Sequence, residues 1–338
     1  QMASLERLHQ GDVGLSAAER TEGEKVLLGL LGGNAGALSS TELGKVGLAL
    51  SGGGFRASLF HIGVLAKLAE LDVLRHVEVL SCVSGGSIIG AHYYLEVRRL
   101  LQSKPDDQIT QDDYIELVRR IERDFLAGVK RNIRTRVAAE WLTNLKMLLL
   151  PHYSRITRVG RLYEKEILSK VMDGEENNKR WLNQLRIFPM GNDGQQFSTF
   201  NIKYDNWKRN NKVPLLILNA TTLNTGHNWQ FTASWMGEPP AGINAEIDAN
   251  DRYRRLYYRD APWEEKGIRL GDAVAASSCV PGLFEPLELA DLYEKTKQKE
   301  RRIVRLVDGG VYDNQGIAGL LGENCRVVLV SDASGGMV

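Results

Sequence analysis

The stretch VEVLSCVSGGSIIGAHYY, residues 77–94, decides how the rest of the chain is read. A largely apolar run ends at Cys82, small residues follow, and a helical pattern begins. Ser84 falls on the turn with Gly85 and Gly86 behind it. A serine on so tight a strand-to-helix turn adopts a strained backbone, and small neighbours let sheet and helix approach closely. The helix start offers unpaired N–H groups and a partial positive charge to a developing oxyanion. The same residues also describe a serine that caps a helix on a glycine-rich turn.

Upstream, KVGLALSGGGFRASLFHIGVLAKLAELDVL gives a short strand (Val46–Leu50), a glycine loop and a helix whose Leu59, Ile62, Leu65, Ala66 and Leu68 recur at near-helical spacing. With a strand over Val77–Cys82 and a helix over Gly86–Leu101, the rhythm predicts an α/β fold. We expect a mainly parallel central sheet flanked by helices. Right-handed crossovers would place the strand C-termini at one edge, where open α/β sheets bind ligands. Residues 102–212 break the rhythm and read as a mostly helical, locally basic insertion. Strands resume at Val213–Leu223, then at NWQFTAS, RRIVRLVDGG and RVVLVSD, with a small-residue helix in LGDAVAASSCVPGLFEPL. The predicted organisation is a polar helical segment and linker over 1–43, then one α/β domain over 44–338 carrying the insertion. Gln1 ahead of Met2, and a C-terminus that stops just after a strand and a turn, lead us to expect chain beyond both ends.

Lys and Arg total 43 against 42 Asp and Glu, a formal charge of +1, which argues against a nucleic-acid binder working through overall charge. Three widely spaced cysteines without a CxxC read as reduced thiols of a cytoplasmic protein, with neither a disulfide framework nor a metal site. No apolar run reaches the ~18 residues of a spanning helix. The N-terminal residues lack the apolar centre of a signal peptide.

The glycine loop LALSGGGFRAS is not a G-x-G-x-x-G dinucleotide fingerprint and lacks the lysine of a nucleotide-triphosphate loop. Within Gly52, Gly53 and Gly54, the N–H groups of Gly53 and Gly54 fit an oxyanion hole. Arg56, two residues on, is read either as a ligand for a substrate phosphate or as a structural salt bridge. None of the six histidines stands late in the chain, where a serine–acid–histidine triad would need it. His61 and His92 are read as packed helix residues. Asp308, closing an apolar strand before Gly309 and Gly310, can serve as the base if it touches the serine; otherwise it is a turn aspartate. Asp332, Asp313 and Asp272 are its competitors.

These blocks resemble the patatin-like phospholipase family, related to cytosolic phospholipase A enzymes. The likeness rests on GGGFR (Gly52–Arg56), CVSGG (Cys82–Gly86) and DGG (Asp308–Gly310) in that order, with weaker blocks NATTLNTGHNWQF and AVAASSCVPGLFEPL. The sequence departs from the family pattern at Cys82, where the elbow's first glycine is expected, and at Ala57. The resemblance implies a patatin-like fold and a serine ester hydrolase with a Ser84–Asp308 dyad, needing no cofactor or metal. Its substrates would be phospholipids met at a membrane surface, with the enzyme peripheral to it. Trp141, Leu142, Leu145 and Met147, bordered by arginines, are read as a membrane face, a lid or a core-facing helix. Hydrolysis of neutral lipids or thioesters, and a non-catalytic anion- or nucleotide-binding module, are the alternatives. A regulatory segment outside this sequence and the oligomeric state stay open.

Overall fold

The computed structural model describes residues 44–129, 155–173, 179–240, 252–260, 267–290, 292–293 and 303–335. The chain begins with β1 (Val46–Leu50), α1 (Gly54–Glu70), β2 (Val77–Val83) and α2 (Gly85–Ser103), matching the predicted rhythm to within two residues at each end. There follow α3 (Gln111–Val129), α4 (Arg155–Glu166) and the single turn α5 (Ile202–Asp205). Then come β3 (Leu215–Thr222), β4 (Asn228–Phe231), β5 (Trp235–Gly237) and β6 (Leu256–Tyr257). The chain continues through α6 (Leu270–Ser277), β7 (Leu287–Ala290), β8 (Ile303–Asp308), α7 (Gly310–Asp313), α8 (Ile317–Gly322) and β9 (Val327–Ser331).

One mixed sheet runs β6-β5-β4-β3-β2-β1-β9, with β8 on β3 and β7 on β8. β9, β1, β2 and β3 are mutually parallel and form the core of the sheet. β4, β5, β6, β7 and β8 join antiparallel, which the strand–helix rhythm did not announce because short returns without helices carry no such signature. Covered on both faces, β1 and β2 are buried at every position, as expected for central parallel strands.

α2 is buried along almost its whole length, whereas α1 shows one apolar face through Ala57, Ile62, Leu65 and Leu68. Within 102–212 the described elements are helices and turns. Those helices join the main core: Phe125 of α3 lies near Phe55 at 6.4 Å between ring centroids. The apolar stretch around Trp141 lies outside the described residues.

The departure at Cys82 has a local compensation. A Cβ on Gly90 of α2 would stand 2.3 Å from the Cys82 sulfur, so the helix gives up a side chain where the strand carries a thiol. Helix and sheet approach still more closely at Gly86, where a Cβ would meet the Leu50 carbonyl oxygen at 2.2 Å. Neither backbone can yield cheaply, so Gly86→Ala should lower stability by about 1–3 kcal/mol. Calorimetric melting tests this, and an unchanged midpoint would show that α2 has slack against β1.

Candidate active site

β3 brings the two distant motifs together. Along one edge it pairs with β2 as far as Val83 opposite Asn219, and with its next residue, Ala220, it takes up β8 at Asp308. β2 and β8 therefore run towards each other and end at the same point. The predicted meeting of residue 84 with residue 308 occurs, but by strands meeting end to end rather than by parallel strands ending side by side.

Ser84 has φ 49° and ψ −114°, a conformation that L-residues rarely adopt and that costs on the order of 1–3 kcal/mol. The surroundings hold it there. Its N–H donates to Ser277 Oγ at 3.0 Å, and its carbonyl accepts from the Ser87 N–H at 2.9 Å. Ser277 Oγ also donates to the Asn219 carbonyl at 2.5 Å and bonds Ser87 Oγ at 2.7 Å. Asn219 in turn donates through Nδ2 to Ser81 Oγ and to the Cys82 carbonyl. The sequence alone does not single out Ser277 and Asn219, although both stand in blocks that carry the resemblance. A polar Asn inside an apolar strand was the available signal.

The Ser84 side chain lies beside the Asp308 carboxylate, close enough to lower its pKa, and both line the same cavity. Asp308 is itself fixed: its N–H donates to the Cys279 carbonyl at 2.8 Å, Thr221 Oγ1 donates to its carbonyl at 2.9 Å, and Oδ1 accepts the Gly310 N–H at 2.8 Å. Burial pushes its carboxyl above the ordinary carboxylate range, against the lowering pull of the Gly310 N–H and the Ser84 hydroxyl.

Across from this pair lies the glycine loop. Gly53 (φ 136°) and Gly54 (φ 67°) take backbone conformations that side chains disfavour, and their N–H groups have no acceptor among the described residues. Gly52 corrects the expectation for the loop as a whole, because its N–H already donates to the Asn314 carbonyl at 2.9 Å. Gly85, the first residue of α2, supplies a further N–H beside Ser84, as a strand-to-helix elbow does. Arg56 departs from the expected phosphate role: it is exposed, does not line the cavity, and has Nη2 near the 333–335 segment.

His61 and His92 stand apart from the pair. His61 bonds Ser331 Oγ and the Ser51 carbonyl, and burial lowers its pKa; His92 is buried with no hydrogen-bond partner among the described residues and is lowered to about 4. The competing acids are engaged elsewhere. Asp313 accepts three backbone N–H groups ahead of α8, and Asp332 binds Ser334 and Gln315, which lower it to about 2. Asp272 is raised to about 6, chiefly by burial, and lies behind α4 against Gly160.

Ser84 and Asp308 open into a cavity of about 780 Å³. Its walls are largely apolar, including Phe55, Ile88, Val159, Tyr163 and Phe284, and it admits a long hydrocarbon better than a polar ligand. Because Asp308 holds its proton more tightly when folded than when unfolded, the folded state binds more protons between the two pKa values. Stability therefore falls as pH rises through that window. Asp308→Asn should melt higher than wild type at pH 7, with the difference shrinking toward pH 3. A variant that melts lower at pH 7 would mean that the carboxylate stabilises the fold.

The chain resembles a solved structure of human GIVD cytosolic phospholipase A2, described as in complex with a methyl γ-linolenyl fluorophosphonate inhibitor and terbium chloride. The two share 16% identity with a TM-score of 0.44, over 93% of this chain and 45% of that one. No curated protein matches the sequence. A family model described as patatin-like phospholipase matches residues 48–321, spanning the glycine loop, the serine turn and the DGG triplet. The chain belongs to the patatin-like phospholipase family.

Proposed function

We propose that this protein hydrolyses ester-linked fatty acids from phospholipids, with Ser84 as nucleophile and Asp308 as its base. The observation that carries this reading is the placement of the Ser84 side chain beside a buried carboxylate at the head of a largely apolar cavity. Asp308 takes the proton as Ser84 Oγ attacks the ester carbonyl. Its raised pKa makes it a stronger base than an exposed aspartate. The N–H groups of Gly53, Gly54 and Gly85 stabilise the oxyanion, each such donor being worth ~2.7–4 kcal/mol of barrier. The leaving lysolipid takes the proton from Asp308. Water, deprotonated by the same carboxylate, then cleaves the acyl-enzyme and restores Ser84.

Access from a membrane surface has structural support at the mouth. Val280, Leu283 and Val311 line the cavity yet are 40%, 68% and 57% exposed, an apolar rim suited to a bilayer. No helix among the described residues is long and apolar enough to cross a membrane. We propose a peripheral enzyme that meets its substrate at the surface.

Ser84→Ala and Asp308→Asn should each reduce fatty-acid release from phospholipid vesicles ~10³-fold or more without loss of fold. Retained turnover in either would refute the dyad. The wild-type kcat/KM should rise with pH through an acid limb centred above the ordinary carboxylate value of ~3.9, since the base must be ionised. A limb near pH 6.5 that disappears on replacing a histidine would transfer the role elsewhere. Leu283→Glu combined with Val311→Glu should reduce turnover of vesicles more than turnover of a monomeric short-chain ester. An equal loss on both would remove the rim from the membrane account.

A further inference from the structure

A second cavity, of about 770 Å³, opens at the other end of the parallel strands from Ser84. Val79 of β2 and Leu215 of β3, which pair in register near the start of those strands, both line it. β2 then runs about 13 Å to Val83, beside Ser84, and no residue lines both cavities. We propose that this second cavity binds an aromatic monoanion, its ring among the cavity's aromatic side chains and its charge at a rim of cations. Binding here is independent of ester hydrolysis.

The ring follows from the lining. Five of its 22 residues are aromatic, Tyr94, Phe200, Trp235, Tyr257 and Tyr258, against 7% of the whole chain. Such rings pack against another aromatic ring with a preference that a hydrocarbon chain does not share. The walls are fixed before any ligand arrives. Tyr94 Oη donates to the Leu185 carbonyl at 2.8 Å, and Tyr258 Oη donates to the Thr232 carbonyl at 3.1 Å. With those hydroxyls bonded inside the protein, what the two tyrosines offer the cavity is ring surface. Trp235 carries the Arg255 guanidinium 3.7 Å from its ring centre and pairs across β5 and β6 with Tyr257. Walls held in this way remove part of the ordering cost of binding.

The charge follows from what the ionic side chains are bonded to. Lys45, Arg186 and Lys203 line the cavity, and none has a carboxylate partner among the described residues. Lys45 Nζ donates to the Glu323 carbonyl at 3.1 Å, Arg186 Nη2 donates to the Phe200 carbonyl at 3.1 Å, and Lys203 Nζ lies 5.5 Å from the Tyr204 ring centre. The two carboxylates in the lining are already engaged. Glu323 pairs with Arg255 at 3.2 Å, and Glu78 accepts the Asn206 amide at 3.3 Å. With Arg259, four cations stand against two carboxylates, which favours an anion of low charge and opposes a polyphosphate. Arg186 and Lys203 are exposed whereas Phe200 is buried, so the charge belongs at the mouth and the ring inside.

The test uses photoactivated 4-benzoylbenzoate, an aromatic monoanion that cross-links where it binds, with the uncharged 4-benzoylbenzamide as its matched control. Peptide mass spectrometry locates the adducts. The carboxylate should label peptides within 183–203, 214–216, 233–235 or 257–259, and the amide at equal concentration should label them about tenfold less. Arg186→Gln combined with Lys203→Gln, both at exposed positions, should reduce that labelling about tenfold at an unchanged melting midpoint. Lys203→Gln alone should show part of the loss, and it decides the matter if the double variant melts lower. Naphthalene-2-sulfonate should displace the probe at a lower concentration than decanoate, which carries its charge on a chain. Labelling confined to the serine cavity, equal labelling by the amide, undiminished labelling in the deciding variant, or displacement by decanoate at the lower concentration would each overturn the inference. None of these outcomes bears on Ser84 and Asp308, which answer to the vesicle assay.

Discussion

Everything in the site depends on how β3 divides one of its edges. Its first residues pair with β2 up to Asn219 opposite Val83, and the following ones pair with β8 from Ala220 opposite Asp308. This register brings together two residues separated by more than two hundred positions in the chain. A slip of one residue in either pairing would turn the side chains at the junction to the other face of the sheet. Thr221 and Asn219 reinforce the junction, the first binding the Asp308 carbonyl and the second binding Cys82 and accepting Ser277.

The strained backbone of Ser84 is sustained by packing that only small residues permit. α2 approaches β1 at Gly86, the Ser277 hydroxyl receives the Ser84 N–H, and Ser58 Oγ donates to the Gly85 carbonyl at 2.6 Å. The carboxylate faces a related constraint. Its burial is unfavourable to the fold but raises its basicity, so stability and the proposed chemistry pull in opposite directions at this residue. The apolar walls lower the local dielectric for both the carboxylate and the developing oxyanion, which is why a pair without a histidine suffices for the chemistry proposed.

Much of the fold was legible in the sequence. The alternation of Val46–Leu50, a glycine loop and an amphipathic helix, repeated from Val77, specifies parallel strands with crossover helices. The antiparallel half was less visible, since strands as short as Trp235–Gly237 and Leu256–Tyr257 carry too few residues to show a period. At the site, Ser84, Asp308, Gly53 and Gly54 stood out because their turns demand small neighbours. The supporting residues Ser277, Asn219 and Asn314 did not, because their roles arise from contacts across long sequence separations. Arg56, two residues from the loop in sequence, is exposed and does not line the cavity.

The central claim is that a buried carboxylate at residue 308 activates the hydroxyl at residue 84. The most direct measurement is the second-order rate at which a fluorophosphonate modifies Ser84, located by peptide mass spectrometry, in wild type and in Asp308→Asn at matched folding. The account predicts modification at Ser84 with a rate that falls ~10²-fold or more in the variant. Modification of the variant at the wild-type rate, or capture of the probe by a different serine, would contradict it.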